Sequence, residues 1–236
     1  LGDILAGEVN PSGRTTDIWD AKLLDNPAQA NFSDMIYTNT EGMVFSANYN
    51  GKVKPAGLYY IEYEEGVYVG YRYYETAHDL GIIDYGQTNC QGEKTALGAI
   101  NYPFGYGLSY TTFEQKLNAV AYDEISDRIT LTVQVSNVGE MDGWEVVQIY
   151  STPPYTEYDA IHGVEKPTKN LVAFDKVFVK RGGAQKITLS FLREELASYG
   201  MNIENPDGTR GCYFLEAGDY RLTLGKNSHD AFDSVT

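Results

Sequence analysis

The sequence is poor in residues that cross-link small domains or bind metals. It has two cysteines, Cys90 and Cys212, and three histidines among 236 residues. Two cysteines cannot build a disulfide framework, and no Cys-x-x-Cys pair offers zinc a site. The sequence permits a single bridge without indicating one, and we expect two buried free thiols instead. The histidines are far apart and lack the spacing of metal ligands, so we expect neither a metal nor a cofactor.

Basic residues and long apolar runs are also scarce. Lys and Arg total 18 against 33 Asp and Glu, which gives a formal net charge of -15. Nucleic acids and anionic membranes need a basic patch, so both are excluded as partners. No apolar run is long enough to cross a membrane. The scattered acidic residues are typical of solvated faces and fit a neutral or cationic partner, while the compartment stays open.

Tyrosine is abundant instead, with 20 residues in a chain whose apolar share is 42%. Tyr joins a large apolar ring to a polar tip, which suits sheet surfaces, domain interfaces and sugar-stacking surfaces. A chain of this length can hold one large domain or two small ones.

Residues 1–111 read as an incomplete α/β segment with long loops. Leu1–Gly7 has the spacing of the capped end of an amphipathic helix. Residues 14–58 have little periodicity and are predicted to be a long loop, either functional or a plain surface insertion. Glu65–Glu75 is rich in β-forming residues, which predicts a buried strand. Within it, Arg72 needs a carboxylate partner or an aromatic stack.

From Phe113 onward the pattern is that of closely spaced β-strands. In Arg128–Val138, apolar and polar residues alternate, which is typical of a strand with one buried face. About seven short strands predict an immunoglobulin-like sandwich, and the absent Cys-Trp-Cys pattern favours a fibronectin type III-like variant. The predicted elements are strands at Leu117–Tyr122, Arg128–Val138, Trp144–Ser151, Leu171–Val179 and Ala184–Phe191, a helical turn in Arg193–Tyr199, and a hairpin of Cys212–Glu216 with Gly218–Gly225. The fold class is therefore mainly β, an immunoglobulin or fibronectin type III-like β-sandwich preceded by an incomplete α/β segment.

Two stretches are predicted to make contacts between domains. Tyr102–Phe113 holds five aromatic residues and two glycines, and we interpret it as the seam between the two parts of the chain. Phe104 and Tyr110 are expected to be largely buried there, so that Phe104→Ala in a packed core would cost about 3–5 kcal/mol. Pro153–Asn170 is predicted to be a long insertion, either a binding loop or part of a contact with another domain.

Three motifs together resemble glycoside hydrolase family 3, the family of β-glucosidases and β-xylosidases. They are Gly7–Arg14 (GEVNPSGR), Glu65–Tyr74 (EGVYVGYRYY) and Tyr102–Phe113 (YPFGYGLSYTTF). The resemblance continues through Val135–Gly139 (VSNVG) and Val146–Tyr150 (VVQIY). It runs in order over nearly the whole chain.

The resemblance implies a retaining β-glycosidase, in which two carboxylates about 5–5.5 Å apart act as nucleophile and acid/base. In the family, the nucleophile is an Asp on a TIM barrel, and the acid/base is a Glu of the α/β sandwich domain, usually well before the motif that here begins at Gly7. Neither is visible here, so no catalytic residue is assigned. The implied domains are the C-terminal portion of the α/β sandwich domain at 1–111 and a fibronectin type III-like domain at 112–236.

The chain is expected to be one part of a retaining β-glycosidase, with β-glucosidase as the expected activity of the whole enzyme. Its expected role is to brace the catalytic barrel. The expected partners are that barrel, in the same or a separate chain, and a β-glucoside or oligosaccharide substrate, and the sequence also permits an oligomer. Candidates for stacking on an outer sugar are Tyr37, Tyr49, Tyr59 and Tyr60. The alternative is a non-catalytic carbohydrate- or protein-binding β-sandwich module, which would need an exposed row of aromatic residues on one sheet face. Both ends read as parts of a longer protein, and the C-terminal sequence favours the order found in some members, with the barrel last.

Overall fold

The structure, a computed structural model, describes residues 1–30, 32, 35–40, 45–49, 52–56, 58–83 and 100–235. For residues 30, 40, 45–49 and 52–56 it describes the backbone only. Cys90, one of the two expected thiols, lies outside the described residues. Cys212 is a free cysteine but is only half-buried, so the expectation of full burial is wrong for it.

Residues 1–111, called the N-terminal segment below, contain short elements joined by irregular chain. They are α1 (Gly2–Leu5), β1 (Trp19–Asp20), a 3-10 helix (Leu23–Asp25), α2 (Pro27–Ala30), a second 3-10 helix (Thr38–Thr40), β2 (Phe45–Tyr49), β3 (Lys52–Ala56), α3 (Tyr71–Asp79) and β4 (Ile100–Tyr102). β1 pairs with β4, and β2 with β3, both antiparallel. The predicted cap of the first helix is confirmed, since Gly7 follows α1 with φ +77°. The loop predicted for residues 14–58 is wrong where β2 and β3 form their hairpin.

The strand predicted at Glu65–Glu75 is wrong, because α3 starts inside it. Tyr74 and Ala77 are three positions apart, which places both on one face of the helix, and both are buried. Tyr74 packs there with Ile18 and Ile100 in a small core. The tyrosine-rich composition suggests a strand, but burial of one helical face decides the local structure.

Residues 112–235 form a sandwich of two antiparallel sheets with a separate hairpin. Their elements are β5 (Phe113–Asp123), β6 (Arg128–Asn137), β7 (Gly143–Thr152), α4 (Glu157–His162), β8 (Asn170–Val179), β9 (Ala184–Leu192), a 3-10 helix (Arg193–Leu196), β10 (Ser198–Glu204), β11 (Arg210–Phe214), β12 (Arg221–Gly225) and β13 (Ala231–Val235). One sheet has the order β5-β6-β9 and the other β13-β12-β7-β8, while β10 pairs with β11. The predicted mainly β fold with a fibronectin type III-like sandwich is confirmed.

The core of the sandwich lies between β6 and β7. Leu131, Val133 and Val135 of β6 are fully buried and belong to one cluster with Val147 and Ile149 of β7. The polar residues between them on β6 are only partly covered. The alternation read from the sequence is therefore confirmed, because one face of β6 is removed from water and the other is not.

The hairpin predicted from Cys212–Glu216 and Gly218–Gly225 is wrong. β11 pairs with β10, whereas β12 pairs with β7 and β13. Leu222 and Leu224 of β12 are buried in the main core, which draws this strand into the four-stranded sheet. Burial of these side chains outweighs the short distance in sequence between the two strands.

The Pro153–Asn170 insertion contains α4 and a buried ionic cluster. The Lys166 ammonium donates to Asp159 Oδ2 at 2.8 Å, to the Pro154 carbonyl at 3.0 Å and to a carboxylate oxygen of Glu216. The side chains of Lys166 and Asp159 are 2% and 0% exposed. Burial opposes the charged form of Lys166, but its two carboxylate partners leave its pKa raised. Burial likewise acts against the charge of Asp159, and the hydrogen bond from Lys166 holds the pKa of this carboxyl below its usual value.

Candidate functional site

The N-terminal segment meets the sandwich along a contact that we call the seam. Residues 10–15 and 103–110 pack on each other and on β7, and residues 67–76 contact the stretches 165–171 and 228–229. Most of these contacts are hydrogen bonds between groups far apart in the sequence. The seam therefore fixes the position of the segment on the sandwich.

Asn10 anchors the first part of the seam and is almost fully buried. Its Oδ1 accepts a hydrogen bond from the Tyr110 backbone N–H at 2.7 Å, and its Nδ2 donates to Ser109 Oγ at 3.1 Å. The Asn10 amide lies against Gly143, the first residue of β7, where a Cβ would overlap it. A glycine at this position lets the turn approach the sheet directly.

The backbone at Thr15 clamps the chain that follows β4. Thr15 N–H donates to the Tyr106 carbonyl at 2.8 Å, and Gly105 N–H donates to the Thr15 carbonyl at 2.9 Å. The Thr15 hydroxyl adds a bond to the Pro103 carbonyl at 2.7 Å. Because two of these bonds join backbone groups, the clamp depends little on which side chains surround it.

A buried ion pair joins the same turn to the sandwich. Arg14 donates to Glu145 Oε2 at 2.7 Å, and Gln115 donates to Glu145 Oε1 at 2.8 Å. Burial raises the pKa of Glu145, and the positive charge of Arg14 opposes that rise. Both carboxylate oxygens have partners, which is what a buried charge requires.

Gly105 lies directly on β7 at the centre of the seam. Gln148 Nε2 donates to the Gly105 carbonyl at 3.1 Å, and the Tyr150 hydroxyl donates to Gln148 Oε1 at 2.7 Å. Burial raises the pKa of Tyr150, so its hydroxyl keeps the proton that it donates. A Cβ on Gly105 would overlap Gln148 Oε1, and its φ of +80° is one that glycine tolerates best. Next to it, the Phe104 ring stacks on Tyr71 with ring centroids 4.5 Å apart.

Phe104 and Tyr110 were both expected to be buried at the seam, and the structure gives a different result for each. Phe104 is half-buried, so the full cost of a core Phe→Ala change does not apply to it. The expectation for Tyr110 is wrong, because its side chain is 51% exposed. The Tyr110 hydroxyl instead donates to the Ile4 carbonyl at 2.8 Å, which places the ring over the end of α1.

Helix α3 supplies acceptors to backbone N–H groups that follow α4. The Tyr71 hydroxyl accepts from Leu171 N–H at 3.0 Å, and Thr76 Oγ1 accepts from Thr168 N–H at 3.0 Å. These bonds show that the Pro153–Asn170 insertion makes part of its contacts within this chain. The insertion was predicted to be either a binding loop or part of a contact with another domain. The structure shows a contact, which the insertion makes with the N-terminal segment.

Glu75 extends the seam towards the C-terminal strand. Its side chain is almost fully buried, and its Oε1 accepts from Ser228 Oγ at 2.7 Å. Its Oε2 lies 3.2 Å from His229 Nδ1. The helix is thus joined to residues that lie more than half the chain away.

Sequence reasoning missed Gln148 and Glu75. Gln148 stands in the run VVQIY, and a polar residue inside an apolar strand is a signal that it has a buried partner. Glu75 gave no such signal, because it is the last residue of the stretch Glu65–Glu75 that was interpreted as a buried strand.

Tyr71→Phe is expected to lower the free energy of unfolding by about 1–2 kcal/mol, because Leu171 N–H loses its acceptor while the ring stack with Phe104 remains. Urea denaturation followed by circular dichroism measures the change. Tyr63→Phe is the matched control, since Tyr63 is 78% exposed and its hydroxyl has no such role. Equal stability of the two variants would contradict a structural role for this bond.

Three of the four tyrosines expected to stack on a sugar lie together. Tyr37 N–H donates to the Leu58 carbonyl, and the Tyr37 and Tyr60 rings have centroids 4.7 Å apart. Tyr37 and Tyr59 are 43% and 55% exposed. Tyr49 ends β2, and its side chain lies outside the described part of the chain. Stacking of these rings on a sugar stays a prediction.

The described residues offer little chemistry of their own. Among them, no group of three or more His, Cys, Asp or Glu residues could hold a metal ion. Asp159 and Glu216 share Lys166, and Asp159 is fully buried, so this pair is held in a structural ion cluster. Within the same part of the chain, no helix combines the length and the apolar character needed to span a bilayer.

The sequence has clear relatives among characterised proteins. The family of the fibronectin type III-like domain matches residues 145–228. The chain is 32% identical over 232 residues to thermostable beta-glucosidase B of Acetivibrio thermocellus, covering 98% of this chain and 24% of that protein. It is 30% identical over 235 residues to an exo-alpha-(1->6)-L-arabinopyranosidase of Bifidobacterium longum, covering 100% of this chain and 24% of that protein.

Solved structures agree with the sequence relatives. A beta-glucosidase from Paenibacillus barengoltzii superposes with a TM-score of 0.68 at 31% identity, covering 99% of this chain and 20% of that one. The GH3 beta-glucosidase of Bifidobacterium adolescentis gives 0.69 at 28% identity, covering 100% and 27%. This chain therefore spans about a quarter of the length of its relatives. The matches extend over both parts of the chain and confirm the resemblance carried by the three sequence motifs, so the chain belongs to glycoside hydrolase family 3, as a segment that includes the fibronectin type III-like domain.

Proposed function

We propose that this chain is a non-catalytic part of a retaining β-glycosidase, a β-glucosidase in the first instance, and that it braces the catalytic barrel. Residues 1–111 are the C-terminal portion of the α/β sandwich domain and residues 112–236 the fibronectin type III-like domain. The catalytic carboxylates lie in the rest of the enzyme, as the family resemblance implies. The relatives named as β-glucosidases support this proposal, and so does the quarter of their length that the chain spans.

The uncovered apolar surface of the N-terminal segment carries the proposal. Leu1, Leu24 and Phe32 are 91%, 78% and 69% exposed, and other large apolar side chains of the segment are exposed beside polar ones. Among the described residues, the core of this segment contains three buried side chains against twelve in the sandwich. So small a core cannot support an independent fold, and exposed apolar patches mark surfaces that another part of the protein covers.

The seam explains how the sandwich can contribute to such an enzyme. The Arg14–Glu145 ion pair and the packing of Gly105 on β7 hold the segment in one orientation. A surface that is fixed in this way can brace a neighbouring barrel without touching the substrate. The fibronectin type III-like domain then acts through the segment that it positions.

The purified chain is expected to release no nitrophenol from p-nitrophenyl β-glucoside, because the two carboxylates of a retaining mechanism are absent. Activity is expected when the barrel-bearing remainder of the enzyme is added as a separate chain. Turnover by the pure chain that a single Glu substitution abolishes would overturn the proposal. A barrel portion that is fully active without this chain would also contradict the bracing role.

Complementation with seam variants tests whether the barrel portion needs the braced orientation of this chain or only its presence. Gly105→Ala is expected to open the seam, whereas Gly182→Ala changes a glycine of similar φ in an exposed turn. The first variant should restore less activity to the barrel portion than the second.

A further inference from the structure

A cleft beside the seam has the lining of a carbohydrate site. We propose that this cleft, between Arg72 of α3 and the β10–β11 hairpin, binds one pyranose ring of a neutral carbohydrate. This binding does not rest on the proposed function, because it needs no hydrolysis and no catalytic barrel.

The cleft is the size of a single sugar unit. Its volume is about 280 Å³, just below the range of about 300–1,000 Å³ that is usual for pockets that bind small molecules. Separate parts of the chain form its walls: residues 67–72, Ser151 with Pro153, residues 165–172, and residues 195–199 together with Tyr213. A site built from distant segments has a defined shape only when the seam is closed.

One wall is an aromatic platform. Tyr199 of β10 and Tyr213 of β11 stand directly opposite each other, with ring centroids 5.0 Å apart. They are 44% and 76% exposed, so ring surface is open to a ligand. At Gly211, whose φ is +92°, a Cβ would overlap the Tyr199 hydroxyl oxygen. The glycine thus lets the Tyr199 ring extend over β11, which forms a surface on which the apolar face of a sugar ring can stack.

Three charged side chains of the cleft can bind hydroxyls, two on the opposite walls and Glu195 on the same wall as the platform. Arg72, Glu165 and Glu195 line the same cleft. Glu165 Oε2 accepts from Val67 N–H at 3.0 Å and Glu195 Oε1 from Leu192 N–H at 3.1 Å, so both carboxylates are held in place. Within the described residues the Arg72 side chain has no hydrogen-bond or ion-pair partner, although its position in the sequence indicated that it needs one.

Donors and acceptors of this kind match the chemistry of a polyol. Each sugar hydroxyl both donates and accepts, so it can bond to the Arg72 guanidinium and to a carboxylate at once. Two carboxylates that line the same cleft as one guanidinium disfavour a phosphate or a uronic acid. A neutral pyranose is therefore the ligand class that fits, and the chain's net charge of -15 does not repel it.

Chemical-shift titration of the whole ¹⁵N-labelled chain tests the proposal, with methyl β-glucopyranoside and cellobiose as probes. Saturable shifts are expected at amides of residues 165–172, 195–199 and 213. Tyr213→Ala should weaken binding about tenfold, and Arg72→Met roughly threefold to tenfold. Equal affinity for the two probes is expected, because the cleft holds a single ring. Clearly tighter binding of cellobiose would contradict a site for one ring.

Phe174→Ala is the matched control, because Phe174 is 68% exposed and lies outside the cleft. It should leave both affinities unchanged. Variant spectra that retain the wild-type dispersion show that the fold is intact. An absence of saturable shifts, equal affinities for wild type and Tyr213→Ala, or shifts centred on Tyr37 and Tyr59 would each overturn the site.

Discussion

Lys166→Met is expected to lower the free energy of unfolding by about 3–5 kcal/mol. The substitution removes the ammonium that Asp159 and Glu216 share and keeps a side chain of similar length. Both carboxylates then stay in a site where their side chains are only 0% and 12% exposed, without their cation. Urea denaturation at neutral pH, followed by circular dichroism and tryptophan fluorescence, measures the loss.

Two further variants serve as controls for this result. Lys186→Met changes an exposed lysine on β9 and should alter stability by less than about 0.5 kcal/mol. Adding Asp159→Asn to Lys166→Met should recover part of the loss, because one of the two buried charges is removed. If Lys166→Met cost no more than Lys186→Met, the buried cluster would contribute nothing to stability.

Gly105→Ala is expected to cost roughly 2–5 kcal/mol, the sum of a left-handed alanine and of the broken hydrogen bonds around Gln148. The added Cβ overlaps Gln148 Oε1, so either the Gln148 side chain leaves its hydrogen bonds or the backbone at 103–107 moves away from β7. The stack of Phe104 on Tyr71 is then disturbed as well. Chemical denaturation gives the total cost, and hydrogen exchange of the amide protons of residue 105 and Ser228, compared with wild type, shows whether the seam has opened.

Gly182→Ala separates the two contributions to this cost. Gly182 has φ +66°, but nothing lies within 4 Å of the position that its Cβ would occupy. It therefore measures the backbone strain alone, about 1–2 kcal/mol. Equal losses in the two variants would mean that the contact of Gly105 with β7 adds no stability.

The sandwich could be predicted from the sequence because its signals are local. In β6, Leu131, Val133 and Val135 alternate with polar residues, and an alternation of period two can be read without knowing the partner strand. The pairing of β12 could not be read in this way. Its neighbours are β7 and β13, and the choice between them and β11 depends on burial in a core formed by distant residues.

The sequence indicated where the seam lies but not which side chains make its contacts. The glycines and aromatic residues of Tyr102–Phe113 indicate a close approach of backbone to a neighbour, and Gly105 makes such an approach. The sequence could not show that Tyr110 faces solvent or that Glu75 is buried, since both depend on the direction of α3 and α1. The tyrosine-rich start of α3 has the composition of a strand, and only tertiary packing makes it a helix.

The distances in sequence between seam partners have a consequence for the synthesis of the protein. Glu75 and Ser228 are 153 positions apart, so α3 leaves the ribosome long before its partner on the C-terminal side has been translated. Until then this contact of α3 is missing, and bringing two groups so far apart in the sequence together is a late and slow step. A nascent chain that stalls just after residue 225 carries every strand up to β12 and can make the other seam contacts, but it lacks Ser228 and His229, so the contacts of Glu75 with these two residues form last.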